Sequence, residues 1–397
     1  MFLWAGCRYL IHRHPVAEKR KTQRARPMNF DFSDDLKMLR EQARKFLAGR
    51  CSREVVRKVF ERGAGYDAEL WAEIARMGWL RTAVPEAYGG SGVGYDGLCV
   101  LAEELGYVLA PMPFSSSIYL AAEAILIAGS DAQKQKLLPP MADGSRIGTF
   151  ALAEGLGNPS PEHIKTKAMS GGLTGTKMPV PDGEIAHFAV VAARDETDDI
   201  GLYVVELSGQ GVARTRLKGI DPARNQARIV FDGAPAERLE DARGYAVIGG
   251  LIDRAAILTA FEQVGGAQAC LDMAKAYAMD RYAFGRPIAA FQAIKHKLAD
   301  VYVAIELARS NAYYGAWAIS AGAAELPVAG AAARVAATDA FHLASKENIQ
   351  THGGIGFTWE ADCHFYYRRS KLLAASIGSA PYWKDRLIAA LERRNAP

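Results

Sequence analysis

The apolar residues of this chain keep helical spacing at both ends and lose it in the middle, and this change of period restricts the fold more than any other feature. From about residue 33 to 142 they recur every three or four positions, as in Leu36, Leu39, Ala43, Phe46, Leu47 and again in Leu70, Ile74, Met77, which places them on one face of successive helices. The breaks are Gly- or Pro-rich: 85–92, Ala110-Pro111-Met112-Pro113, and Leu138-Pro139-Pro140, which is expected to close the region. From about 146 to 238 short runs of strand character take over, at 188–193, 201–207, 211–217 and 227–231, divided by turn residues. They predict a small antiparallel β domain. Beyond 242, three long stretches with few breakers (about 242–280, 290–321 and 328–351) and two shorter ones (360–376 and 380–393) predict antiparallel helices packed as a bundle. The expected fold is mostly α with a central β domain, divided into a basic leader (1–27), an N-terminal helical domain (28–145), a middle β domain (146–240) and a C-terminal helical bundle (241–397).

Charge narrows the function. The 397 residues hold 48 Lys/Arg against 44 Asp/Glu, a net charge of +4. Seven of those basic residues, against the single acid Glu18, lie within 1–27, so residues 28–397 hold 41 basic and 43 acidic residues, a balance of −2. The body therefore lacks the cationic footprint that attracts phosphate backbones, and a nucleic-acid partner is not expected. No run approaches the roughly 18 uninterrupted apolar residues of a membrane-spanning helix, so no membrane span is expected. The five cysteines are scattered, with neither the close pairs of a zinc site nor the even count of a disulfide framework, and read as reduced thiols. His163, His187, His296, His342 and His352 form no chelating pair with carboxylates at suitable spacing, so no metal is expected. The leader is basic and acid-poor, and Met28 opens patterned helix almost at once; Met28 is the expected start, with a transit peptide as the alternative.

Two constellations carry possible chemistry. Gly353-Gly354-Ile355-Gly356 follows a long helix ending Gln350-Thr351-His352. Glycines there let backbone N–H groups approach a pyrophosphate, and they serve equally as a helix C-cap; both readings stand on the residues alone. No strand precedes them, which argues against a Rossmann turn. The other constellation runs Arg281-Tyr282-Ala283-Phe284-Gly285-Arg286-Pro287-Ile288, then Phe291-Gln292. A guanidinium followed by an aromatic ring at a helix corner suits a diphosphate and a flat ring, although on the residues alone a surface Arg beside a core Phe is the favoured reading.

Taken together, the α, β, α order, Pro85-Glu86-Ala87-Tyr88-Gly89-Gly90, Arg281-x-x-Phe284-Gly285-x-x-Ile288-x-x-Phe291-Gln292 and Gln350-x-x-Gly353-Gly354-x-Gly356 resemble the acyl-CoA dehydrogenase family over residues 29–393. The resemblance implies a non-covalent FAD between the β domain and the bundle, opposite an acyl-CoA thioester. A carboxylate would take the α-proton while the flavin takes the β-hydride, and electrons would pass to an electron-transfer flavoprotein. It further implies that Arg281, Phe284 and Gln292 contact the adenine and diphosphate of an FAD held mainly by a neighbouring subunit, with Gln350, Gly353 and Gly354 along the diphosphate. An oligomer follows, either a homotetramer or an α2β2 heterotetramer. The run 354–360 with Tyr366-Tyr367-Arg368-Arg369 is similar to bacterial members acting on steroid side chains or on dicarboxylyl and alicyclic acyl-CoAs, which implies a bacterial cytoplasmic location rather than a mitochondrial one.

The pattern also fails in places. Where many members have a catalytic Glu, this chain has Ile377 within Ser376-Ile377-Gly378-Ser379. Other members carry the carboxylate on the helix opening the C-terminal domain, before an Arg; Asp253-Arg254 stands there, making Asp253 the expected base and Arg254 an expected neighbour of the thioester. Ala153 replaces a flavin-bonding Thr, and Pro179 and Pro181 replace an aromatic residue and a Thr, leaving the backbone from Ala151 to Glu154 to serve the ring. Three readings follow: a complete FAD-dependent acyl-CoA dehydrogenase, a catalytically silent half-site subunit of an α2β2 enzyme, or an oxidase-like flavoenzyme of the same fold.

Overall fold

A computed structural model describes residues 33–395 except Ala64 and Gly171; the leader and Met28 lie outside the described residues. The helical start comprises α1 (Asp34–Arg50), α2 (Arg53–Arg62), α3 (Ala68–Arg76), α4 (Tyr95–Tyr107), a π-wound segment Ser115–Ala122 that runs into α5 (Glu123–Ala128), and α6 (Asp131–Ala142). Ser33 and Asp67 cap α1 and α3 by accepting from N–H groups three residues on, and Ser130 with Gln133 forms a reciprocal capping box at α6. Pro139 and Pro140, expected as the break itself, lie inside the last turn of α6.

Eight strands follow: β1 (Gly148–Ala151), β2 (Lys167–Met169), β3 (Gly172–Pro181), β4 (Phe188–Arg194), β5 (Ile200–Glu206), β6 (Val212–Leu217), β7 (Gln226–Ala234) and β8 (Glu237–Arg238). They form one sheet in the order β6-β7-β3-β2-β4-β5-β8, with β1 also on β4. The sheet is mixed rather than purely antiparallel, because β1 runs parallel to β4 from Gly148/Phe188 to Ala151/Val191 and Lys167 of β2 meets Arg194 in parallel. The reason is visible in β4: Phe188 to Ala193 are all buried, an unbroken apolar run covered on both faces, as parallel pairing requires.

The bundle consists of α7 (Tyr245–Asp280), a short hairpin β9 (Tyr282–Ala283) and β10 (Arg286–Pro287), then α8 (Gln292–Ser320), α9 (Leu326–His352), α10 (Cys363–Ala375) and α11 (Ala380–Asn395). The centre of the molecule is α7, buried along most of its length between Ile248 and Ala278. Where α7 crosses α4 the two backbones touch: a Cβ on Gly106 would lie 2.0 Å from the Glu262 carbonyl oxygen, and one on Gly265 would lie 1.9 Å from the Glu103 carbonyl oxygen. No side chain fits at either position.

Behind this crossing the three parts of the chain share a buried ion network. Arg224, between β6 and β7, donates to Glu262 of α7 and, at 2.7 Å, to the Ser115 hydroxyl. Arg369 of α10 donates to Asp221 and, at 3.5 Å, to Glu262, while Ser116 donates to Asp182 at 2.6 Å. All five charged groups are buried. Removing one partner leaves the others uncompensated in a medium that penalises lone charge. Arg369→Met should therefore cost about 3–5 kcal/mol of unfolding free energy by urea denaturation; an unchanged midpoint and slope would show that the network does not hold the layers together.

Candidate active-site cavity and cofactor edge

A cavity of about 370 Å³ lies where the helical start, the sheet and the bundle meet. One wall is the stretch that leaves β1, from Leu152 to Ser160; a second is Pro179, Pro181 and Asp182 at the end of β3; a third runs from Leu372 to Gly378. The inner end holds Ser115, Tyr119, Arg224, Gln226 and Thr259. The third wall is a strained turn: Ile377 has φ 51°, the left-handed region, and is followed by Gly378 at φ 116°. Arg334 of α9 holds it. That guanidinium is 0% exposed and donates to the carbonyls of Leu373 and, at 2.9 Å, Ser376, and to Gln263 Oε1 at 2.5 Å. Burial pulls its proton affinity down to about 9. The Ser379 N–H then donates to Asn158 Oδ1 at 3.0 Å and ties the third wall to the first.

The residues singled out in sequence separate into two groups in space. Ala153, Pro179, Pro181 and Ile377 do line the cavity. Ala151 does not; it is fully buried at the end of β1 against Val191. Asp253 is not in the lining either. It is 3% exposed and receives a hydrogen bond at 2.5 Å from Arg386 of α11, whose guanidinium also lies over the Tyr382 and Trp383 rings. Its helix presents Thr259, not Asp253, to the cavity. Arg254 is likewise turned away, donating to Glu123 at 3.1 Å and lying over the Tyr95 ring, whose hydroxyl donates to the same carboxylate. The position of Asp253 before an arginine suggests a base, whereas its partner lies 133 residues later on a helix that local pattern does not connect to it.

Among the described residues two carboxylates line the cavity, Glu154 and Asp182, and both are committed. Glu154 pairs with the buried Lys177 at 2.6 Å and accepts from the N–H groups of Lys165 and Thr166. Burial lowers the Lys177 ammonium to about 8. Asp182 is held by Ser116, and burial raises its carboxyl above the usual range despite Arg224 nearby. An isoalloxazine needs hydrogen bonds along its pyrimidine edge, and the wall formed by Ala153, Pro179 and Pro181 offers neither a hydroxyl nor, at the prolines, an N–H. Carbonyls of Leu152 and Ala153 are already taken by Lys177 and Met178. The side chains of Ala153, Pro179 and Pro181 thus give a flavin ring no hydrogen-bonding group.

The residues expected to make the outer contacts lie together. The C-terminal ends of α7 and α9 and the N-terminal end of α8 share one end of the bundle, fastened by Tyr277 stacked on His352 with ring centres 4.2 Å apart and by Lys297–Glu347. There Arg281, Phe284, Gln292, Gln350, Gly353 and Gly354 are all exposed. Phe284 is 94% exposed on the β9–β10 hairpin at φ 53°. Gly353 caps α9 at φ 61°, and a Cβ on Gly353 or Gly354 would meet nothing within 4 Å, so their backbone is open to a ligand. Gly353 is therefore the cap of α9, and the backbone beside it is also open on its outer side. Sequence reasoning missed Arg224, Arg334 and Tyr119; the polar pair Glu262-Gln263 inside the otherwise apolar run of α7 was the available signal for the first two.

Residues 33–145 match the family model for the acyl-CoA dehydrogenase N-terminal domain, and residues 242–390 that for its C-terminal domain. The acyl-CoA dehydrogenase IpdE2 of Mycobacterium tuberculosis is 32% identical over 338 residues, 85% of this chain and 91% of the relative. A solved steroid acyl-CoA dehydrogenase, a variant of Tcur3481-Tcur3483, shares 31% identity with a TM-score of 0.83, over 92% of this chain and 99% of that one. The ChsE4-ChsE5 complex of Mycobacterium tuberculosis shares 27% identity with a TM-score of 0.83, over 93% of this chain and 100% of that one. The chain belongs to the acyl-CoA dehydrogenase family, whose cofactor is FAD.

The placement of Asp253 is open to titration. Burial lifts its carboxyl from 3.8 to about 6 against the pull of Arg386. A carboxyl raised on folding contributes stability that is complete below its ordinary value and is lost as pH rises through about 6. Wild type should therefore gain stability relative to Asp253→Asn as pH falls from about 7 to about 4, read by urea unfolding; a pH-independent gap would show an ordinary, solvated carboxylate.

Proposed function

We propose that this acyl-CoA dehydrogenase chain is the half-site subunit of a heteromeric enzyme, lending the outer FAD contacts to a flavin seated mainly on a partner subunit, while leaving α-proton removal to that partner. One observation carries the reading: cavity wall and bundle end disagree. The wall has Ala153, Pro179, Pro181 and Ile377 where a flavin ring and a base are needed, and Asp253 is sealed against Arg386 outside it. The bundle end keeps Arg281, Phe284, Gln292, Gln350 and the Gly353-Gly354 backbone together and exposed.

In the assembled enzyme Arg281 would pair with diphosphate oxygens, Phe284 would cover the adenine, and Gln292 and Gln350 would flank them, beside the open amides of Gly353 and Gly354. FAD, when bound, accepts the hydride taken from the β-carbon as the 2,3-enoyl thioester forms. An electron-transfer flavoprotein is the expected acceptor, α2β2 the expected assembly, and the bacterial cytoplasm the expected location. Two of the solved relatives carry the names of two chains, Tcur3481-Tcur3483 and ChsE4-ChsE5, which supports a heteromer. Among the described residues, no helix is long and apolar enough to cross a membrane.

Flavin content provides the test. The chain purified alone should retain almost no FAD, and the complex with its partner should hold about one FAD per pair. Arg281→Ala should weaken FAD retention by the complex roughly ten- to hundredfold, the loss expected for a charged hydrogen-bonding partner. Asp253→Asn should leave turnover of the complex unchanged. A yellow, stoichiometric and active single-chain enzyme would falsify the half-site reading.

A further inference from the structure

The sheet carries a second cleft at the end opposite the cavity. The cavity lies where β1 ends, whereas this cleft, of about 480 Å³, lies where β1 and β4 begin and β5 ends. Arg146, Glu184, His187, Glu206, Ser208 and Arg214 supply its polar groups, and nothing above employs them.

The donors are fixed by bonds that leave other hydrogens free. His187 accepts from the Ile147 N–H through Nδ1 at 2.9 Å, and its own backbone N–H donates to the Ile147 carbonyl at 2.8 Å. The neutral ring therefore carries its proton on Nε2. Arg214 reaches from the edge strand β6 to the turn before β4, donating to the carbonyls of Glu184 and Ala186 at 2.9 and 3.0 Å and of Gly183 at 3.4 Å. All three bonds use Nη1; among the described residues its Nε and Nη2 have no hydrogen-bond partner. Ser208 stands on a turn closed by the Gly209 N–H on the Glu206 carbonyl at 3.1 Å, and among the described residues its hydroxyl has no partner either.

The charge balance selects the ligand. Glu206 accepts from Arg146 at 2.5 and 2.7 Å, and that guanidinium also lies over the Phe188 ring. Glu184 pairs with Arg216 at 3.6 Å and accepts from the Asn225 carboxamide. Both carboxylates are thus matched, while Arg214 meets carbonyls and keeps a charge that no carboxylate opposes. An anion in the cleft meets a guanidinium from β6, an imidazole N–H from the start of β4 and a hydroxyl from the turn after β5. Donors from three segments suit the three terminal oxygens of a phosphoryl group, and a guanidinium fork matches two of them.

We propose that this cleft binds a phosphoryl group, as free phosphate or as a small phosphate monoester, through the free N–H groups of Arg214, the His187 Nε2–H and the Ser208 hydroxyl. The proposal goes beyond the half-site reading and does not rest on it, because none of these three residues belongs to the cavity wall or to the bundle end.

The test uses the full chain, with its partner if the two copurify, at constant ionic strength because exposed charges are screened. Affinities for inorganic phosphate, glycerol 3-phosphate and acetate come from calorimetry. Both phosphates should bind more tightly than acetate. Ser208→Ala, at an exposed turn residue, should weaken phosphate about tenfold, the worth of one hydrogen bond to a charged group, and Arg214→Gln roughly ten- to hundredfold. Arg281→Ala, at the bundle end, should leave phosphate affinity unchanged. Tighter binding of glycerol 3-phosphate identifies a monoester as the ligand and equal affinity the free ion, and either result supports the site. Acetate bound as tightly as phosphate, no binding of either phosphate, an affinity untouched by Ser208→Ala and Arg214→Gln, or a loss that follows Arg281→Ala instead would each overturn the proposal. Flavin content of the same preparation decides the half-site reading separately.

Discussion

Three carboxylates and two guanidiniums buried at one junction hold the helical start, the sheet and the bundle in register. Asp182 and the 221–224 loop come from the β region, Ser115 and Ser116 from the helical start, and Glu262 and Arg369 from the bundle. Charges out of water are tolerable only when each has its partner in place. None of the three parts can therefore dock a residue out of position without exposing another part to that penalty. The cavity owes its shape to this junction, since Asp182 and Arg224 are at once members of the network and part of the wall.

The bundle is legible in sequence because long apolar runs without breakers leave few alternatives. The stretches expected at 242–280 and 328–351 are observed as Tyr245–Asp280 and Leu326–His352. Pairing is less legible than elements. The run 188–193 reveals by its lack of alternation that it is covered on both faces, yet nothing in it names β1 and β2 as its parallel neighbours. The same limit governs the site. Local motif places Asp253 at the head of a long helix, but which side of that helix faces the cavity depends on α11, whose Arg386 claims the carboxylate. The exposed edge at Arg281, Phe284 and Gly353 is legible because its chemistry is local: a hairpin, a cap and two helix ends.

Two kinds of buried arginine divide the work around the cavity. Arg224 and Arg369 meet carboxylates and fasten layers. Arg334 meets carbonyls, and its hydrogen bonds hold the turn that carries Ile377 in a conformation a β-branched residue resists. Placing an apolar side chain in that strained position gives the wall a dry surface where a carboxylate would need solvation or a cation.

The contact between α4 and α7 at Gly106 and Gly265 has a mechanical consequence. With backbone against backbone, no side chain remains to change rotamer, so the two helices can neither slide nor separate without breaking van der Waals contact along the crossing. The crossing is a fixed anvil on the helix that presents Thr259 to the cavity. Freedom around the cavity lies instead in its first wall, where Gly155 and Gly157 supply backbone latitude on either side of the fully exposed Leu156 and the hydrogen bond between Asn158 and Ser379 ties that wall to the third.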